Sequence, residues 1–226
     1  MIISREPSMR QRSGPIAVAI AVFAKEPLPG RVKTRLCPPY STAEAAMLAA
    51  AALADTLEAV AATAVAHRLL VLDGNPSAWR RPDFHVLPQR GTGLAERLDN
   101  ALIDAVQTTR HPVLLIGMDT PQLQPAELEA AAAALMIADS ALGPATDGGF
   151  WAIGVHAGQT GLCSGVQMSR PDTGHRQLDR MRELGLHPAR LDQLTDVDDA
   201  KSATEVAGLA PRTRFAELLT ALVGAA

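Results

Sequence analysis

Short unbroken apolar runs alternate along the chain with longer stretches in which apolar residues recur every three or four positions. Ile16 to Phe23 is continuously apolar, the pattern of a central strand buried on both faces. "RLLVLDG", ending at Gly74, "FHVLPQ", and "PVLLIGMD", from Pro112 to Asp119, predict three further strands. Helical periods lie between them. Ser41 and Glu44 have the spacing of a capping box, and the alanine-rich helix that they open should reach about Thr63. "GTGLAERLDNALIDAV" places Leu94, Leu98, Leu102 and Val106 at steps of four, one apolar helix stripe. "QPAELEAAAAALMIA" has Pro125 in its first turn, and "TGHRQLDRMRELG" stops at Gly185. "SALGPATDGGFWAIGVH" predicts two short strands around Asp147-Gly148-Gly149, where Asp-Gly suits a type I′ turn. "ARLDQL" adds a last short strand, and Pro211 opens a terminal helix. This alternation predicts an α/β sandwich on a mixed, mostly parallel sheet, with at least one antiparallel strand at the Asp147 turn.

Composition narrows the picture. The 226 residues show no internal repeat, no low-complexity linker and no second composition regime, so residues 15–226 read as one domain. Residues 1–14 carry charge but no apolar core of a secretory signal, and are expected to be a disordered tail. A hydrophobic share of 47% supplies a substantial core, while 3% aromatics argues against an aromatic-rich β-sandwich. A net charge of −3 and a pI near 6.1 argue against a general binder of nucleic acid or of membrane surfaces. Glu44, Asp55 and Glu58 interrupt the alanine-rich segment, so no run reads as a membrane span. Cys37 and Cys163 fit no metal-ligand spacing and read as free thiols; nothing requires an oxidising compartment, and a cytoplasmic location is expected. The six histidines are scattered along the sequence, as surface or packing residues are.

Open α/β sheets bind ligands outside the carboxyl ends of their strands, and three such places carry chemistry here. The first is "FAKEPLPGRVKTRL", Phe23 to Leu36, which gathers Lys25, Arg31, Lys33 and Arg35 in an acidic chain. Gly30 and the prolines shape the turn, and backbone amides with cations at such a junction suit a polyphosphate. It is not a Walker A loop, because Val32 stands where glycine precedes the lysine, and no GxGxxG follows the strand. The second place is acidic. Asp119 ends a buried strand before Pro121, and "TDVDD" sets Asp196 and Asp198 two residues apart, on one side of an extended segment. Carboxylates so placed suit a Mg²⁺ shared with phosphate oxygens; alternatively, Asp119 is a turn residue and Asp198 or Asp199 caps a helix. The third is Asp147, a turn residue or a group beside which Gly148 and Gly149 let an acceptor approach the backbone.

"FAKEPLPGRVKTRL", "GMDTP", "GPATDGGFWAIG" and "TDVDD", in this order, resemble the bacterial rSAM/selenodomain-associated transferase 1 family, within the nucleotide-diphospho-sugar transferase (GT-A) superfamily. The resemblance spans about Ile16 to Gly208, and "KTRL" is also similar to the corresponding loop of phospholactate and phosphoenolpyruvate guanylyltransferases. It implies a Rossmann-like GT-A sandwich. It also implies a nucleotide held by Ala24, Lys25, Gly30, Lys33, Thr34 and Arg35. Divalent metal, Mg²⁺ or Mn²⁺, is implied at Asp119, Asp196 and Asp198. By position, Gln89, Gly91 or Gly93 contacts the base or sugar, or Arg97 bonds a partner nearby. Three departures fall in the acceptor half: Met118 replaces a usual serine, Phe150 a usual tyrosine, and "VQMSRPDT" a Trp-Ser-Thr-like stretch.

These readings together predict an enzyme of nucleotidyl transfer. Lys33 and Arg35 hold the phosphates of an NTP; the metal at Asp119, Asp196 and Asp198 neutralises charge; and an acceptor phosphate or carboxylate near Asp147, Gly148 and Gly149 attacks with loss of pyrophosphate. Lys33, Asp119 and Asp147 are the candidate catalytic residues. Such chemistry is mostly positioning and charge neutralisation, so a nucleophilic Ser/His pair is not required. Glycosyl transfer from an NDP-sugar is the alternative, and a nucleotide-binding protein without catalysis is the third.

Overall fold

The computed structural model describes residues 14–156 and 159–224, so the expected tail lies outside the described residues apart from Gly14. The seven strands are Ile16–Lys25 (β1), Val65–Asp73 (β2), His85–Pro88 (β3), Val113–Gly117 (β4), Ser140–Pro144 (β5), Phe150–Val155 (β6) and Pro188–Arg190 (β7). The helices are Thr42–Ala62 (α1), Gly93–Thr109 (α2), Pro125–Ile137 (α3), Thr173–Glu183 (α4), Ala200–Leu209 (α5) and Arg214–Gly224 (α6). One sheet runs in the order β3-β2-β1-β4-β6-β5-β7. Every pairing is parallel except those of β6, which is antiparallel to both neighbours. This is the mixed, mostly parallel GT-A-type sandwich expected.

The continuous apolar runs conceal an alternation. Val18, Ile20 and Val22 of β1 face one layer with Leu70, Leu72, Leu114 and Ile116, under α1 and α3. Ala19 and Ala21 face the other with Leu69, Val71 and Leu115, under α2 and α4. Both faces are covered, so both parities must be apolar. α1 buries two sides at once. Leu53, Leu57 and Val60 meet the sheet, while Leu48 and Ala52 meet Phe215, Leu219 and Val206 of α5 and α6. This 21-residue helix is in fact long and apolar enough to cross a membrane by length and composition, contrary to expectation, but 67% of its apolar window is buried inside the fold. Its capping box is formed as expected, with Ser41 Oγ accepting from the Glu44 amide. Cys37 and Cys163 are free thiols.

One further expectation needs correction. The β5–β6 turn is not type I′, which needs positive φ at both central residues. The Gly148 amide donates to Ala145 O at 3.2 Å and the Ala145 amide to Gly149 O at 3.0 Å. Gly148 has φ +88°, whereas Asp147 is not left-handed. The loop is thus a three-residue-type turn closed by a left-handed glycine, and Asp147 Oδ1 accepts from the Gly149 amide at 2.7 Å. Three histidines pack on one another, as packing residues do: His67 on β2 and His111 before β4 lie with ring centroids 4.8 Å apart, and His85 on β3 is 6.4 Å from His67. Burial, then His111 and His85, hold the His67 imidazole below its ordinary pKa. A depressed imidazole contributes stability above the ordinary value, near 6.5, that is lost as pH falls through the depressed folded value. The melting temperature should therefore fall between pH 7 and 5. His67→Gln should flatten that acid limb, and an unchanged slope in a thermal melt series would show that the cluster does not set it.

Candidate functional site

The carboxyl ends of β1, β2, β3 and β4 and the amino end of β6 meet at one edge of the sheet. Here α2 and α4 stand apart over β1, β4 and β6 and leave a cavity of about 400 Å³. Its floor is apolar, with Phe23, Leu98, Leu115 and Ile153, and its rim carries Lys25, Arg97 and Arg170 with Asp119, Asp147 and Asp196. Leu94, which the sequence stripe assigned to the core, is 41% exposed and lines this cavity instead.

The basic loop is fixed beside the cavity. Leu36, fully buried, anchors the short 3-10 turn Thr34–Leu36 among α1, α5 and α6. Gly30 takes φ +73° and Lys33 is itself left-handed, with φ 47° and ψ 38°. A lysine in this region costs roughly 1–2 kcal/mol, and the cost aims its ammonium inward. Lys33 Nζ lies 2.8 Å from Asp119 Oδ2 with only 10% of its side chain exposed, and it also donates to the Val197 carbonyl. Arg35 Nη1 donates to Asp198 Oδ2 at 2.6 Å on the exposed side, where solvent screens the pair. The Val197 amide donates to Asp119 O at 2.9 Å, and Gln122 Nε2 donates to Thr195 O at 2.5 Å. Three segments far apart in sequence, the basic loop, the end of β4 and "TDVDD", are thereby tied into one unit.

The carboxylates divide differently from the sequence pattern. Asp119 Oδ1 and Asp196 Oδ1 are buried with no hydrogen-bond partner. Burial and the charges of Asp147 and Asp119 push the Asp196 carboxyl up to about 6, while Lys33 pulls it down. Asp198 is engaged by Arg35, and its own amide donates to Ser202 Oγ at 2.9 Å. Asp199, beside it, is the N-cap of α5, accepting from the Ser202 amide. The acidic charges acting on Asp196 are thus Asp147 and Asp119. Among the described residues, no group of three or more His, Cys, Asp or Glu is so placed that it could by itself hold a metal ion. Two orphaned, buried carboxylate oxygens with Asp147 beside them are nonetheless the hard oxygen donors that suit Mg²⁺ or Mn²⁺ shared with a ligand's phosphate.

The segment after β3 holds the opposite rim. Gln89 Nε2 donates to Ala24 O at 2.7 Å and to Val71 O at 3.0 Å, and Gln89 Oε1 accepts from Arg97. Arg97 also pairs with Asp73 at 2.8 Å. Gln89 and Ala24 therefore join β1, β2 and α2, which leaves the Lys25 side chain and Arg97 as the cations of this wall. Gly91 packs against Glu96 and Asn100, and Gly93 opens α2. Met118, where the resembling family has serine, lends its sulfur to the Lys25 amide at 3.4 Å, so this departure from the family pattern packs inward. For Gln89 and Arg97 the only signal in the sequence is the resemblance of their segment, and for Arg170 its place in the departing stretch "VQMSRPDT".

This architecture is a nucleotide-diphospho-sugar transferase-like fold. The chain belongs to the bacterial family described as "Uncharacterized protein conserved in bacteria (DUF2064)", which matches residues 48–170. Its structure is similar to that of a protein from Desulfovibrio desulfuricans G20, provisionally described as a nucleotide-diphospho-sugar transferase, with a TM-score of 0.81 and 27% identity over 90% of this chain and 94% of that one. More distant likenesses, which speak to the fold alone, are Rv0371c of Mycobacterium tuberculosis H37Rv (TM-score 0.55, 17% identity, 84% and 97% covered) and a CMP:2-keto-3-deoxy-manno-octonic acid synthetase complexed with CTP (TM-score 0.58, 11% identity, 86% and 98% covered). No protein of curated function matches the chain significantly in sequence.

Proposed function

We propose that the chain is a divalent-cation-dependent transferase that binds a nucleotide at the carboxyl edge of its sheet and transfers a nucleotidyl group to a small anionic acceptor. The observation that carries this reading is the Lys33–Asp119 contact beside the orphaned oxygens of Asp119 and Asp196. A nearly buried ammonium against unsatisfied carboxylates is the pairing that a metal-bound triphosphate would exchange: phosphate oxygens for Lys33 and Arg35, a cation for Asp119, Asp196 and Asp147. When bound, the metal would supply charge neutralisation at the reacting phosphoryl group. Lys33 holds phosphate oxygens, the Lys25 and Arg97 wall borders the nucleoside, and the Asp147–Gly149 turn borders the acceptor. An acceptor oxygen then bonds to the α-phosphorus as the bond to the bridging oxygen breaks and pyrophosphate leaves.

A second reading, glycosyl transfer from an NDP-sugar, is favoured by the description of the Desulfovibrio desulfuricans protein. The leaving group separates the two. Thermal shift with the four NTPs, UDP-glucose and GDP-mannose, each with and without Mg²⁺, should show Mg²⁺-dependent stabilisation by at least one NTP; a ligand at 100 times its Kd contributes about 2.7 kcal/mol. Pyrophosphate should appear on turnover. Stabilisation by NDP-sugars alone, with release of nucleoside diphosphate, would establish the second reading, and stabilisation by neither class would overturn both.

A further inference from the structure

The two walls of the cavity are built differently. In the sheet order, β1 and β3 with their following loops lie to one side of Asp119, and β6 with α4 to the other. The first wall carries Lys25 and Arg97, and Arg97 is already tied to Asp73 and Gln89. The second wall carries Phe150 and Met168 with a single cation, Arg170. No carboxylate among the described residues pairs with Arg170, and its neighbour Asp172 is taken by Arg176 at 2.6 Å.

The backbone that presents Arg170 is rigid. The Arg170 amide donates to Thr173 Oγ1 at 2.9 Å, Thr173 Oγ1 donates to Gln167 O at 2.9 Å, and the Thr173 amide returns to Arg170 O at 3.1 Å. Ser169, just before it, is held left-handed at φ 59°, a conformation that persists in a non-glycine residue only where its surroundings enforce it. The segment is also locked to the acceptor turn, because the Gly174 amide donates to Gly148 O at 2.7 Å. A Cβ on Gly148 would lie 1.8 Å from Pro171 O, and one on Gly174 would lie 2.3 Å from Gly149 O. A laced, strained loop thus fixes the backbone of Arg170, whose exposed side chain lines the cavity together with Phe150, Met168 and Asp147.

We propose that Arg170 sets acceptor specificity by binding the acceptor's anionic group, a carboxylate or a phosphate, while the acceptor's apolar part lies against Phe150 and Met168. The inference rests on the transfer reading above for the word acceptor, but the anion subsite is tested separately. Phenyl phosphate and phenylacetate serve as probes, with 2-phenylethanol as the neutral control of similar body. They are titrated calorimetrically into wild type, Arg170→Ala and Arg170→Lys, with and without Mg²⁺ and each of the four NTPs. At least one anion should bind wild type and lose about tenfold in affinity in Arg170→Ala, with partial recovery in Arg170→Lys. The neutral control should not respond to the substitution, and nucleotide affinity should stay within about twofold. Whichever anion shows the larger loss identifies the group. Equal affinities in wild type and Arg170→Ala, or no binding of either anion to wild type at tens of millimolar, would overturn the proposal. Anion binding that depends on Arg170 in a protein that binds no nucleotide would support the subsite and overturn the transfer reading instead.

Discussion

Replacing Asp119 by alanine should lower kcat/KM for the nucleotide donor by about a thousandfold or more and remove its dependence on divalent cation, in a protein that still folds. The size follows from what the carboxylate does: preorganised charge at a reacting phosphoryl centre, held in a partly water-excluded cleft, is worth several kcal/mol in transition-state stabilisation. The fold should survive because Asp119 holds the neighbouring segment through its backbone: its carbonyl, not its side chain, accepts from Val197. The side chain is 36% exposed, so its pairing with Lys33 is partly solvent-screened. Lys33 keeps the Val197 carbonyl as a partner, and the stability loss should stay at about 2 kcal/mol or less. Asp119→Asn separates charge from shape, and should lose cation dependence while melting close to wild type. Retained Mg²⁺ dependence in either variant would sink the proposed role, whatever the activity.

Why could the sequence point to this residue but not to its partners? Asp119 was legible because it ends a buried apolar run before a proline, and the end of a strand is a ligand edge in this class of sheet. The same logic found Lys33, Asp147 and Asp196. Their association was not legible, because it depends on strand order. β1 is flanked by β2 and β4, and β6 is inserted antiparallel between β4 and β5, which no local period records. Arg35 reaches Asp198 across 163 positions, a pairing that no local spacing records. Asp147 joins the cavity rim through a turn that Asp-Gly chemistry locates but types wrongly, since Gly148 is left-handed and Asp147 is not. Leu94 shows the limit of periodicity in another way. It keeps the helical step of Leu98 and Leu102, yet it lies one turn beyond the covered part of the sheet, where the same apolar face becomes a cavity wall.

The charge pattern has a physical consequence that follows from this topology. Lys33 and Arg35 are each set against a carboxylate of another segment, so the basic loop is not a free anion trap. A bare phosphate must compete with Asp119 and Asp198, whereas a nucleotide that brings its own cation satisfies both sides at once. On the proposed reading, selectivity for metal-bound nucleotide over free inorganic phosphate would follow from the pairing and not from the count of cations in the loop.

The glycine pair at the acceptor turn supplies the second large effect. Gly148→Ala should cost about 3–5 kcal/mol of stability, roughly 10 °C or more in melting temperature for a chain of this size. The φ of +88° alone accounts for about 1–2 kcal/mol with a Cβ present. The rest comes from a contact that cannot give way. The new carbon would meet Pro171 O at 1.8 Å, Pro171 C at 2.5 Å and Pro171 Cα at 2.9 Å, all of them backbone. Relief requires the loop to withdraw, which breaks the Gly174 amide bond to Gly148 O and releases Arg170 from its place. Gly30→Ala is the matched control. Its φ of +73° is similarly left-handed, but a Cβ there meets nothing within 4 Å, so its cost should stay near 1–2 kcal/mol. Nucleotide affinity measured below the melting transition should fall less than anion binding in Gly148→Ala, because Lys33, Asp119 and the Gln89–Arg97 wall stand on other elements and only Asp147 of the proposed cation's carboxylates lies on the turn. Binding of the anionic probes should be lost. Equal melting losses in the two glycine variants would show that the turn and the Arg170 loop are not locked together, since only at Gly148 does the added methyl meet another segment of the chain.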